Sequence, residues 1–302
     1  MNSRILLSGV SGLIGTALLP SLRTNGISVV RLVRGPATGP VTGDEQIPWD
    51  PAVPLSPAAV SGLDAVIHLA GENIFGRWTT AKKEKIRDSR VVGTFNLSSA
   101  LAQAEEKPRV FICGSAIGYY GNRGDESLHE ESAPGAGFLA EVCQDWEEAT
   151  TPAVQADIRT AHIRTGVVLS PKGGALAAML TPFKLGLGGR IGSGKQWMSW
   201  IDIRDMVGAI HHILKNDLIQ GPVNLVAPRP VMNAEFAQTL ASVLSRPAIF
   251  PLPEFALKLA FGQMGEEILL GSQKVEASKL ISSGYPFRYR ELRASLEALL
   301  KH

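Results

Sequence analysis

Cysteine is almost missing from this 302-residue chain: Cys113 and Cys143 are the only two, and no CxxC pair occurs. A disulfide framework and a cysteine zinc site are both excluded, and a reducing, cytoplasmic setting is the expectation. Charged residues are sparse too, at 19% against a usual ~25%. Thirty basic side chains nearly cancel 28 acidic ones, leaving +2. That balance argues against a long polyanion-binding stripe, so nucleic acid is not expected as a partner. No apolar run approaches the ~18 residues of a spanning helix, so no membrane partner is expected either. Metal is not expected: there is no HExxH and no clustered His/Asp/Glu set, and the vicinal His211-His212 do not share a helical face.

What is present is apolar and rich in glycine and proline. Hydrophobic residues reach 45%, with 31 glycines and 19 prolines. A chain this long and apolar buries a sizeable core, which excludes disorder, collagen and coiled coil. Short β-branched runs alternate with helical stretches through the first two thirds. Strands are predicted at 4–8, 28–34, 65–70, 109–114 and 160–169, with helices over 12–25, 81–103 and around Trp146. A Pro/Gly-rich loop is read from 35 to 57. The alternation predicts an α/β fold, a Rossmann-type doubly wound parallel sheet. After Leu169 the texture changes: 171–200 is Gly-rich, a helix follows Trp200–Asp205, a strand is read at 222–227, and a proline-punctuated helical region follows. Residues 1–170 and 201–228 are therefore assigned to a dinucleotide-binding domain, and 171–200 with 229–302 to a smaller C-terminal substrate lobe.

The segment Gly9-Val-Ser-Gly12-Leu-Ile-Gly15 lies between the first strand and the first helix. In that context one glycine makes a tight turn, one leaves bare backbone for a pyrophosphate, and one permits close helix packing. The helix N-terminus adds unpaired N–H groups. Gly9, Ser11, Gly12, Leu13, Ile14 and Gly15 are thus the expected phosphate cradle. The same glycines argue for a turn here rather than the leucine-rich core of a secretory leader. An NAD site places a carboxylate about 20 residues past the glycines; here Val33 and Arg34 stand there, with Arg31 nearby and no acid before Asp44. A guanidinium suits a 2′-phosphate, so NADP(H) is the expected cofactor.

Three look-alikes are set aside. Gly189–Gln196 nearly spells a phosphate loop, but Gln196 stands where Ser or Thr is needed and a strand follows. Ser115 lacks a GxSxG frame. His68, within an apolar strand, is read as a satisfied core histidine rather than a base.

Six blocks carry a resemblance over nearly the whole length: SGVSGLIG (8–15), IHLAGENI (67–74), GSAIGYYG (114–121), RTGVVLSPKGGAL (164–176), PFKLGLGGRIGSGKQWMSWIDIRD (182–205) and NLVAPRPVMNAEF (224–236). With them the chain resembles the extended short-chain dehydrogenase/reductases of the NAD(P)-dependent epimerase/dehydratase group. More narrowly it resembles an atypical "epimerase family protein" subfamily ending in a domain of unknown function. The resemblance implies that Leu69, Ala70 and Gly71 touch the cofactor ribose, with Glu72 and Asn73 continuing that wall. It also implies that Arg90 faces the cofactor, that Gly166 to Val168 border the nicotinamide, and that Ser115 takes the place of a catalytic Ser or Thr. A homodimer through the two long helices is a further implication, and Asp205 reads as a helix cap.

One departure stands out. Active members carry Tyr and Lys four residues apart; here Phe138 and Val142 occupy those positions, and neither moves a proton. Tyr119 and Tyr120 are the only nearby phenols. Two readings result. In the first the protein is an NADP(H)-dependent oxidoreductase or epimerase acting on an unidentified small molecule, with Tyr119 or Tyr120 as proton donor aided by Ser115. A pocket lined by Gln196, Trp197, Trp200 and Asp202 belongs to that reading. In the second it is a non-catalytic NADP(H)-binding regulator or scaffold; some relatives are linked to cell or plastid division.

Overall fold

The computed structural model describes residues 3–35 and 44–301. The expected loop from 35 to 57 falls partly on residues 36–43, which lie outside the described residues. Seven strands form the main sheet: β1 (Arg4–Ser8), β2 (Ser28–Val33), β3 (Glu45–Pro48), β4 (Ala65–His68), β5 (Val110–Ala116), β6 (Arg159–Thr165) and β7 (Gly221–Leu225). Their spatial order is β7-β6-β5-β4-β1-β2-β3, and all neighbours run parallel. The order reverses between β1 and β4, and a ligand crevice opens at the strand ends of such a switch point.

The strand residues alternate because the side-chain period is two. Ile5, Leu7, Ile67, Val110 and Ile112 face one layer, where they meet Leu18 and Leu22 of α1 (Leu13–Thr24). Leu6, Val66, Phe111 and Cys113 face the other, against Leu97 and Leu101 of α2 (Thr80–Gln103) and Trp146 of α3 (Phe138–Glu148). A helix missed in the Gly-rich 171–200 region, α4 (Gly174–Lys184), packs Leu176, Leu180 and Phe183 with Trp200. Next come α5 (Ile203–Lys215), α6 (Asn233–Val243), α7 (Glu254–Phe261) and α8 (Leu292–Leu300). Phe236 and Leu240 of α6 and Leu292 and Leu296 of α8 join the same cluster as α4.

Two sequence expectations are corrected here. The 160–169 strand is two strands: Gly166 interrupts it, and Val167–Leu169 pairs instead with Trp200–Asp202. A Cβ at Gly166 would stand 2.5 Å from the Ser199 carbonyl oxygen, so only glycine lets the chain change partners there. Asp202, not Asp205, caps α5 by accepting from the Arg204 N–H at 2.8 Å. Asp205 instead accepts from the backbone N–H groups of Arg288 and Tyr289, both at 2.8 Å, and ties down that loop.

Candidate dinucleotide site

The turn after β1 is as tight as its glycines require. Gly9 has φ +69°, and a Cβ there would lie 2.6 Å from the Leu69 carbonyl carbon. A Cβ at Gly15 would lie 2.2 Å from the Gly9 oxygen, so the first turn of α1 is pressed onto the strand end. Gly12 is different: it caps α1 in an extended conformation, φ −75°, and its one close neighbour is the Gly9 oxygen at 3.2 Å. Its bareness serves the space in front of the helix.

That space is a cavity of about 500 Å³. Its wall brings together Gly9, Ser11, Gly12, Val33, Arg34, Leu69, Ala70, Gly71 and Glu72. Trp49, Pro51 and Ser89 also line it, and sequence reasoning missed them. A second cavity adjoins it, sharing Arg34, Trp49 and Pro51. Leu13, Ile14 and Gly15 stand behind the wall. Leu13 reaches Gly173 and Gly174, and Ile14 packs on the core. Val168 also packs on the core and is not part of the wall.

A hydrogen-bonded floor supports the β1 and β4 ends. Ser8 Oγ accepts from the N–H groups of Leu69 (3.0 Å) and Ala70 (3.2 Å) and donates to His68 Nδ1 at 2.7 Å. His68 therefore carries its proton on Nε2, which is buried without a partner, while its ring meets Trp49 edge-on at 5.7 Å. Burial drives its pKa down to about 4, so the imidazole is neutral at pH 7. The expected "satisfied" histidine is satisfied at one nitrogen only.

Charge is distributed unevenly around the cavity. Arg34 is exposed at the mouth shared by both cavities. Asp44, the first acid after β2, does not reach the wall; it pairs with Arg23 and, at 3.9 Å, with Arg31. Glu72 is held by Lys82 at 2.6 Å, a hydrogen bond that keeps its carboxyl below the ordinary value. Arg90 lies behind Gly71, whose Cβ would stand 3.1 Å from the guanidinium carbon. It donates to the Ile86 oxygen at 3.0 Å and stacks 5.0 Å from the Trp146 ring, and burial lowers its pKa. Among the described residues it has no carboxylate partner.

The three expected catalytic residues do not line this cavity. Ser115 is buried and donates to Glu147 Oε1 at 2.6 Å. Glu147 in turn holds Arg164 through Nε and Nη2, both at 2.8 Å. Tyr120 has no exposed surface; its hydroxyl donates to Asn224 Oδ1 at 2.7 Å and accepts from Arg164 at 3.0 Å. Burial pushes its pKa up to about 12. These contacts make Ser115 and Tyr120 parts of a buried polar network. Tyr119 differs. It is half-buried beneath the Arg164 guanidinium, 3.5 Å from its ring centroid, and among the described residues no hydrogen bond engages its hydroxyl.

Phe138 and Val142 belong to an apolar cluster with Trp78, Ile86 and Met264. The Phe138 ring meets Trp78 edge-on at 5.1 Å, with Lys83 Nζ 5.2 Å above it. Glu267 reaches over from the C-terminal region to accept from the Phe138 and Leu139 N–H groups at 3.1 and 3.0 Å. Of the residues expected around a second pocket, Gln196, Trp200 and Asp202 are buried, and Trp197 donates to Asp125. Among the described residues no group of three His, Cys, Asp or Glu side chains is placed to hold a metal, and no helix is long and apolar enough to cross a membrane.

A family model described as the NAD-dependent epimerase/dehydratase family matches residues 5–225, and one for a domain of unknown function matches residues 252–299. An epimerase family protein of Mycobacterium bovis is 42% identical over 298 residues, covering 98% of this chain and 97% of the relative. A crystal structure of the human epimerase family protein SDR39U1 with NADPH superposes with a TM-score of 0.90 at 35% identity, covering 99% of each chain. A structure of a nucleoside-diphosphate sugar epimerase from Corynebacterium glutamicum gives 0.81 at 36% identity, covering 99% of this chain and 58% of the other.

Proposed function

The chain belongs to the NAD-dependent epimerase/dehydratase family, and from that premise we propose that it is an NADP(H)-binding protein that keeps the dinucleotide cavity and lacks the tyrosine–lysine proton relay. The cavity wall carries the reading: bare glycine backbone at Gly9 and Gly12, an arginine at the mouth, and no acid at the end of β2. The human relative solved with NADPH supports it.

In this reading the backbone of Gly9 to Gly12 and the N-terminus of α1 receive the pyrophosphate. Arg34 receives the 2′-phosphate, and Leu69, Ala70 and Gly71 form the ribose wall. Arg90 supplies a cation behind that wall. When bound, a reduced nicotinamide would offer hydride chemistry at this site. The residues around it supply no proton by the usual route. Phe138 and Val142 are apolar and packed, and Ser115 and Tyr120 are committed to Glu147 and Asn224. Holding the dinucleotide is what this constellation does.

One observation favours a second reading, an NADP(H)-dependent oxidoreductase acting on a small molecule. Among the described residues nothing bonds the Tyr119 hydroxyl, and the residue is half-buried. Fluorescence titration with NADPH and NADH tests the first reading, with tighter binding of NADPH expected; equal affinities overturn it. Oxidation of bound NADPH by any member of a carbonyl and sugar-nucleotide panel moves the assignment to the second.

A further inference from the structure

Large apolar side chains are exposed on two segments that lie against each other and on the helix that follows the second. Leu185, Ile249, Phe255 and Leu259 are 68%, 69%, 74% and 76% exposed, and Leu187 and Phe250 are more than half exposed. Two chain segments are zipped together to assemble them. Phe250 N–H donates to the Gly188 oxygen at 3.3 Å, and Leu252 N–H to the Arg190 oxygen at 2.9 Å. A Cβ at Gly189 would stand 2.2 Å from the Phe250 oxygen, so the two backbones touch. Helix α7 then continues the surface, with Phe255 and Leu259 four residues apart on one face. None of these six side chains lines either dinucleotide cavity.

The charges beside this surface are mostly positive. Lys184, Arg190 and Arg246 are exposed and have no carboxylate partner among the described residues. Arg190 donates to the Ser193 oxygen and Arg246 to the Lys184 oxygen, both backbone groups. Lys258 is paired with Glu266 at 3.4 Å, and Glu254 turns toward Gly192. A second copy of the chain is a poor occupant, because two-fold contact sets one net-positive surface against the same surface of the other copy. Apolar side chains that project and are flanked by unpaired cations fit the boundary of a lipid layer with anionic headgroups.

We propose that this surface docks the protein peripherally on an anionic lipid surface. Phe255 and Leu259 enter the interfacial zone, and Lys184, Arg190 and Arg246 meet the headgroups. This revises the expectation of no membrane partner, which rested on continuous apolar runs; the surface is assembled from two separate segments. It stands independently of the dinucleotide reading.

The experiment is flotation of the full chain with phosphatidylcholine vesicles, with and without phosphatidylserine. The protein is expected to float only with the anionic vesicles and to be released at high salt. Phe255→Ser/Leu259→Ser abolishes flotation. Arg190→Gln/Arg246→Gln weakens it by about fivefold per cation removed. The cation pair bonds only to backbone, so it remains informative if the apolar double variant does not fold. The proposal is overturned by failure to float, by equal flotation with neutral vesicles, or by folded variants that float like the parent. A parent dimer in light scattering that Phe255→Ser/Leu259→Ser dissolves also overturns it, since a second copy is then the occupant.

Discussion

Ser115 of β5 and Arg164 of β6 stand side by side in register, and both reach the same carboxylate, Glu147 on α3. Arg164 is 3% and Glu147 12% exposed at the side chain, so this is a buried ion pair. The hydrogen bonds to Glu147 hold the guanidinium charged against the cost of burial, and its pKa is raised overall. Removing one partner strands a buried charge. Glu147→Gln is therefore expected to lower stability by about 3–5 kcal/mol in urea unfolding. Ser115→Ala removes one hydrogen bond and costs about 1 kcal/mol. NADPH affinity is unchanged in Ser115→Ala, and a large loss there would return Ser115 to the site.

His68 gives the fold an acid limit. Its folded pKa of about 4 lies below the ordinary 6.5, so the unfolded chain takes up the proton first as pH falls. The contribution is complete above pH 6.5 and is lost progressively between 6.5 and 4, roughly 3 kcal/mol in all. Burial lowers His162, His211 and His212 as well, so the whole curve belongs to several groups. The difference between wild type and His68→Gln isolates this one. Stability measured against pH is expected to be flatter in the variant within that window, and parallel curves would remove the assignment.

Gly12 and Gly15 are expected to separate binding from folding. Gly12 has an ordinary φ and only one close neighbour, so Gly12→Val folds with a small loss and no longer binds NADPH. Gly15→Ala drives a methyl into the Gly9 oxygen at 2.2 Å and lowers the melting temperature clearly. Calorimetry that finds parental NADPH affinity in folded Gly12→Val would show that the turn is only structural.

The contrast between these glycines shows what a sequence displays. A glycine spacing between a strand and a helix is local, so the turn is legible in the sequence, whereas Leu69 to Glu72 entered only through the family resemblance. Trp49 and Pro51 were not, because they arrive through β3, whose Glu45–Pro48 run holds a single β-branched residue inside a Pro/Gly-rich stretch. The surroundings of Ser115 were hidden for a different reason. Alternation along β5 decides which side a hydroxyl faces, and its bonding to Glu147 comes from a helix 32 residues away. The buried Arg164 gave no local signal at all.

In the proposed reading Arg34 carries the choice of cofactor. Arg–phosphate hydrogen bonds are charge-assisted, worth about 1.5–3 kcal/mol. Arg34→Ala is expected to weaken NADPH binding by about 10- to 100-fold and to leave NADH nearly untouched. Titration with 2′,5′-ADP and with ADP locates the loss at the 2′-phosphate. An equal loss for both fragments would place Arg34 elsewhere in the site.

Phe138 and Val142 decide between holding and turnover. Val142 is 2% exposed in an apolar cluster with Trp78, Ile86 and Met264, where an ammonium group would have to be desolvated. Phe138→Tyr/Val142→Lys is therefore expected to destabilise the protein and to restore no activity, since a lysine buried there loses its proton or disrupts the cluster. Of the neighbouring pair Tyr119 and Tyr120, Tyr119 is the one whose hydroxyl has no hydrogen bond among the described residues, since Tyr120 is bonded to Asn224 and Arg164. If the protein holds NADP(H) without turnover, Tyr119→Phe leaves NADPH affinity unchanged, and no carbonyl or sugar-nucleotide substrate oxidises the bound dinucleotide in wild type or variant. An oxidoreductase gives the opposite pattern: measurable turnover in the wild type, and a fall of about 10²- to 10⁴-fold in Tyr119→Phe at constant NADPH affinity. Single-turnover absorbance at the nicotinamide band separates the two, because it registers a hydride lost from the bound cofactor even when product release is slow.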